Sequence, residues 1–136
     1  MDIKELASAS LKARSLSYSP YSGFKVGAAL LCKDGTVYTG ANIENAAYSP
    51  TNCAERTAFF RAVMDRHRDF SAIFISGGPG EAPDDFCPPC GVCRQVMREF
   101  CNPDEFKIVL VKSETEIREY RLAELLPLGF GPDNLS

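Results

Sequence analysis

Three cysteines constrain this chain more than any other feature. Cys90 and Cys93 form a C-x-x-C pair in what the surrounding pattern predicts as the first turn of a helix, and Cys53 stands at the start of another. Thiols three residues apart on one turn face the same way. A helix N-terminus presents free N–H groups and a partial positive charge, which favours thiolate over thiol. A fold that brings the two helix starts together therefore gathers three thiolates at one point. Three protein ligands leave the fourth tetrahedral position of a zinc ion open, the catalytic pattern, whereas four make a structural site. Taken alone, Cys90 and Cys93 fit a metal site, a redox pair or coincidence. Cys53 tips the balance towards metal.

The compartment decides whether such thiols stay free. Residues 1–14 carry Asp2, Lys4 and Glu5 among spaced apolar residues and lack the apolar block and cleavage site of a signal peptide. No apolar run approaches the ~20 residues of a membrane span. A cytosolic location is expected, with reduced thiols. The 136 residues, 45% of them apolar, suit a single domain spanning 1–136. Lys and Arg total 15 against 18 Asp and Glu, a net charge of −3, which argues against binding a phosphate backbone through clustered positive charge. A small-molecule partner is expected, with neither nucleic acid nor membrane.

Leu6, Ala7 and Leu11 recur at helical spacing, which predicts a helix over 3–16. Strands are predicted over 24–32 and 36–41, joined by the turn residues Lys33, Asp34 and Gly35. An irregular loop (42–52) leads to a helix over 53–67, capped by Asn52 or Thr51. A strand over 70–76, a Gly- and Pro-rich loop over 77–86, and a helix over 90–101 follow. Two strands (107–112, 116–121), a helical turn (122–126) and a tail complete the chain. Helices alternating with strands predict a mixed sheet covered on both faces.

Glu55 lies two residues beyond Cys53, about 200° round a helix, so it does not readily ligate the same ion but can stand beside a water in the open position. Three thiolates on a divalent ion leave a net negative charge, and Arg56 and Arg94 are the nearby cations able to offset it. Asn42 and Glu44, if extended, point to one side. Cys87 precedes Pro88 and Pro89, which hold the backbone away from helix and turn it from the other thiols. Cys32 and Cys101 read as small buried apolar residues. His67, the only histidine, reads as exposed and inert, and its isolation leaves no imidazole base for a cysteine nucleophile.

The segments Phe24–Leu30, Asn42–Tyr48, Cys53–Ala58, Pro89–Val96 and Glu124–Pro127 together resemble the small homotetrameric, zinc-dependent cytidine deaminases over nearly the whole chain. The resemblance implies an α/β fold, a three-layer α-β-α sandwich with a mixed five-stranded sheet. It implies one zinc ion per chain on Cys53, Cys90 and Cys93, with Glu55 as proton carrier and Arg56 hydrogen-bonded to the thiolates. It implies hydrolysis of cytidine and deoxycytidine to uridine, deoxyuridine and ammonia, in pyrimidine salvage. Phe24 is then an aromatic wall against the base, and Asn42 and Glu44 hold the ribose hydroxyls. The Ala54 N–H contacts the ring carbonyl, and Tyr48 and Phe130 complete pockets shared between subunits. Pro88 stands where the family commonly has Ser. The competing readings are a deaminase of another aminopyrimidine, a polynucleotide editor, a thiol–disulfide oxidoreductase and a non-catalytic zinc module.

Overall fold

The computed structural model describes residues 1–136. Helix α1 (Ile3–Ala13) runs into a 3-10 turn at Arg14–Leu16, and α2 (Ala54–Met64), α3 (Gly91–Phe100) and the short α4 (Leu122–Leu125) complete the helices. The strands are β1 (Lys25–Cys32), β2 (Val37–Ala41), β3 (Phe70–Gly78), β4 (Lys107–Val111) and β5 (Ile117–Arg121). They form one sheet in the order β2-β1-β3-β4-β5. Only the β3–β4 pair is parallel, with Ile73 opposite Ile108, because its connection passes through α3. The other neighbours are antiparallel, and β1 and β2 form the expected hairpin.

Period-two alternation divides the sheet between two cores. Ala29, Ala72, Phe74, Val109 and Val111 face α1, packing on Leu6 and Ala7. Ala28, Leu30, Ile73, Ile75, Ile108 and Leu110 face the opposite way, onto Ala58, Phe59 and Ala62 of α2 and Cys93 and Met97 of α3. The central strands β1, β3 and β4 are apolar on both faces, as the α-β-α reading requires, whereas the edge strand β5 is largely exposed. Phe59 is fully buried, 5.0 Å from Phe70 and 6.0 Å from Phe106 between ring centroids.

Small residues set the position of α2. Ala54, Ala58 and Ala62 recur every fourth residue and are wholly buried. Opposite them, a Cβ at Gly40 of β2 would overlap the Ala54 carbonyl oxygen and the Ala58 nitrogen. The helix start is thereby held directly on the sheet.

Several predicted boundaries shift. The cap of α2 is Cys53, in extended conformation, and neither Asn52 nor Thr51; the Asn52 amide instead donates to Thr57 Oγ1 at 3.1 Å. The helix ends at Met64 rather than 67, followed by Arg66 with φ of 65°. Strand β3 extends to Gly78, taking in two residues assigned to the loop. The tail is docked: the Gln95 side chain donates to the Phe130 carbonyl, and Arg98 pairs with Asp133 at 2.7 Å.

Candidate active site

The N-termini of α2 and α3 meet, with Cys53 and Cys90 as their caps. Their sulfurs are 3.7 Å apart, and the sulfurs of Cys53, Cys90 and Cys93 all lie within 4.8 Å of one another. Four ligands ~2.3 Å from a zinc ion sit about 3.8 Å apart at the corners of a tetrahedron, so this donor set fits zinc. Cys93 is buried and Cys90 is exposed, so the trio is anchored in the core and reached from solvent. The Cys93 backbone N–H points at Cys90 Sγ at 3.5 Å, an orphan donor of the helix start turned on a sulfur.

Arg56 donates from Nη2 to Cys53 Sγ at 3.2 Å. The Cys93 thiol, and then Arg56, lower the pKa of Cys53 by hydrogen bonding to its thiolate. Cys93 in turn keeps its proton, because the Cys53 thiolate accepts it and burial disfavours a second charge. The other cation behaves differently. Arg94 donates to the carbonyls of Pro89 and Leu125 at 2.8 and 2.7 Å, so it ties the approach to α3 onto α4 and does not serve the sulfurs.

Glu55, in the first turn of α2, is 4% exposed. Burial, with a further contribution from the neighbouring Cys53 thiolate, pushes its carboxyl up to about 7. A carboxyl so placed can hold or release a proton near neutral pH.

Cys87 stands apart from the trio. A Cβ at Gly77 would lie 2.8 Å from Cys87 Sγ and 3.1 Å from the Phe24 ring, so the thiol and the ring share the space that the glycine leaves. Burial, then Glu55 and the other thiols, push the Cys87 thiol up to about 11. Phe24 is partly exposed.

Asn42 and Glu44 flank Ile43, whose N–H and C=O both pair with Asn52, next to Cys53. Asn42 is buried; its oxygen accepts from Val26 N and Ser17 Oγ, and its nitrogen donates to the Phe24 carbonyl. Its second amide hydrogen has no partner within the chain. Glu44 accepts from the backbone nitrogens of Tyr21 and Ser22 and from the Ser22 hydroxyl, and these bonds, the hydroxyl's first, hold its carboxyl below the usual range. With Tyr21, Ser22, Tyr48 and Thr51 it lines a cleft of about 380 Å³. Tyr48 has a φ of 62° and is exposed, edge-on to Tyr21. Phe130 is also exposed. Ala54 lies wholly buried at the start of α2.

One contributor escaped the sequence reading. Arg14 is 3% exposed and donates to the carbonyls of Lys25, Gly78, Gly80 and Glu81, which holds the loop after β3 in place. An arginine at a helix end reads as a dipole partner, and nothing nearby in the chain marks it otherwise.

An α/β fold whose two converging helix starts carry three sulfurs and a buried carboxyl belongs, by its donor set, with the zinc enzymes. The family described as the cytidine and deoxycytidylate deaminase zinc-binding region matches residues 1–110. A cytidine deaminase of Sporosarcina psychrophila is 51% identical over 136 residues, covering 100% of this chain and 96% of that protein. One from Halalkalibacterium halodurans is 46% identical, covering 100% and 99%. The crystal structure of cytidine deaminase from Burkholderia pseudomallei superposes with a TM-score of 0.87 at 42% identity, covering 96% of this chain and 100% of that one. The Mycobacterium tuberculosis enzyme gives 0.81 at 34%, covering 97% and 99%. The chain belongs to the zinc-dependent cytidine deaminase family. Its cofactor is zinc, and the cysteine trio is able to hold one ion per chain.

Proposed function

We propose that this protein hydrolyses cytidine and deoxycytidine to uridine and deoxyuridine with release of ammonia, as one catalytic domain spanning residues 1–136. The observation that carries the reading is the buried Glu55 carboxyl beside three clustered cysteine sulfurs. Cys53, Cys90 and Cys93 would hold zinc, which when bound acidifies water and serves as a Lewis acid. Arg56 offsets the charge of the thiolates through its bond to Cys53.

Glu55 carries the protons. Its carboxylate accepts one from the attacking water and gives it to the pyrimidine ring nitrogen. It then takes the second and gives it to the amino group. A C–O bond forms at the ring carbon, the C–N bond breaks, and ammonia leaves. Phe24 walls the base, and the Ala54 N–H at the start of α2 donates to the ring carbonyl. Glu44 and the spare amide hydrogen of Asn42 take the ribose hydroxyls. A carboxylate at that position repels a phosphate, so free nucleosides are preferred over nucleotides.

The active form is a homotetramer, with Tyr48 and Phe130 completing a neighbour's pocket. Their exposure in one chain, and that of Phe60 and Met64 on α2, supports this. A cytoplasmic role in pyrimidine salvage follows from the substrate.

Glu55→Gln tests the mechanism. The variant should retain about one zinc per chain and lose ammonia release by at least about a hundredfold. Substantial turnover in that variant would remove Glu55 from its role.

A further inference from the structure

The far end of α2 carries a second cluster of ligating side chains. Cys32 closes β1, Asp34 lies in the β1–β2 turn, and His67 follows α2. Cys32 Sγ, an Asp34 carboxylate oxygen and a His67 ring nitrogen all lie within 4.8 Å of one another. Cys32 is 2% exposed, and the imidazole is partly open to solvent.

The surrounding hydrogen bonds decide how His67 presents itself. The Tyr38 hydroxyl donates to Asp65 Oδ2. His67 Nδ1 is 2.9 Å from that hydroxyl oxygen and 3.2 Å from the Asp65 carbonyl, both of which now only accept. Nδ1 therefore carries a hydrogen, an assignment made from the bonding pattern. In the neutral imidazole Nε2 is then a bare lone pair, and it faces Asp34 Oδ2 at 3.1 Å. The other oxygen of Asp34 is fixed by the Thr36 N–H at 2.9 Å. Nε2 and Asp34 Oδ2, 3.1 Å apart, have room between them for a proton or for a cation. A proton satisfies those two; a cation satisfies those two and the thiol as well.

We propose that Cys32, Asp34 and His67 form a second metal site, selective for a borderline divalent cation of the zinc class. One sulfur, one imidazole and one carboxylate is a zinc-type donor set, with solvent completing the tetrahedron. The chain from Nδ1 through Tyr38 to Asp65 is the outer hydrogen bonding that orients a ligating imidazole. Thr36 does the same for Asp34. Cys32 loses its thiol proton to solvent when the metal–sulfur bond forms. The bound ion clips the β1–β2 turn to the end of α2, the helix whose start carries Cys53 and Glu55. Its role is structural and independent of the deaminase reaction.

His67 is the only histidine, so its imidazole gives the only histidine ring signals in a nitrogen-15 spectrum. Zinc is titrated into full-length protein already loaded with one equivalent at the three-sulfur site. The expected result is a shift of the Nε2 signal that saturates at about a second equivalent, with a rise in melting temperature. Cys32→Ala and Asp34→Asn should each weaken this second binding at least about tenfold and leave deaminase activity with one zinc unchanged. Asp34 is in an exposed turn, so that variant tests the site even if loss of the buried Cys32 disturbs folding. Imidazole signals that stay put through excess zinc would overturn the proposal, leaving a protonated ion pair. So would an equal shift in Asp34→Asn, which would mean a surface imidazole taking up metal unaided.

Discussion

At the scale of single residues, Glu55 shows how a site opposes stability. Burial penalises the charge and pushes its carboxyl from the usual 4.5 up to about 7 in the metal-free fold. The folded state therefore binds more protons than the unfolded state between those values, and stability contributed by the protonated carboxyl is lost as pH rises through that window. The shift corresponds to about 3 kcal/mol. Metal-free Glu55→Gln should thus match the native chain near pH 4 and exceed its stability by up to that amount above pH ~8, in parallel denaturant titrations. A constant difference across pH would contradict the burial account. Residues Asn42 and Glu44 are constrained in another way: most of their hydrogen-bonding capacity is spent inside the chain, which fixes their direction before any ligand arrives.

Among the elements, α2 carries the most. Its start bears Cys53 and Glu55, its alanine stripe seats it on β2, and His67, three residues beyond its end, is bonded to Asp34 in the β1–β2 turn. Gly40→Ala would push this helix off the sheet, since no flexible side chain is there to yield. A loss of about 1–3 kcal/mol is expected, together with weaker zinc retention against a chelator. Unchanged zinc retention would mean the helix start is positioned by something other than its contact with β2. Arg14 governs the loop after β3 in a comparable way. Its guanidinium is buried without an acidic partner, and four carbonyls supply the compensation. Arg14→Met should lower stability by about 2–4 kcal/mol and increase proteolysis in residues 78–86.

For the whole molecule, the core on the α2 and α3 side is the larger, and Phe59 is its centre. Phe59→Ala should cost about 3–5 kcal/mol, measured as a lower denaturation midpoint with an unchanged slope. The element order, the two-faced sheet and the three sulfurs were all legible in the chain, because each depends on spacing within short segments or on the chemistry of a residue type. The tail was legible only as a segment without a helix or strand pattern; Gln95 and Arg98 dock it.

By itself, the sequence determined which atoms were available: three thiols at two helix starts, one carboxyl two residues from the first, and strands apolar on both faces. These are local, periodic or compositional properties, so they survive without a fold. The tertiary structure decided which charges serve the sulfurs, assigning Arg56 to Cys53 and Arg94 to the carbonyls of Pro89 and Leu125. It also made His67 a half-buried, bonded residue, held through both ring nitrogens, where the chain alone reads it as exposed and inert. Those outcomes depend on backbone groups and side chains distant in sequence arriving at the same place. Hydrogen bonding acts only over a few ångströms, so no pattern along the chain records which partners will be that close.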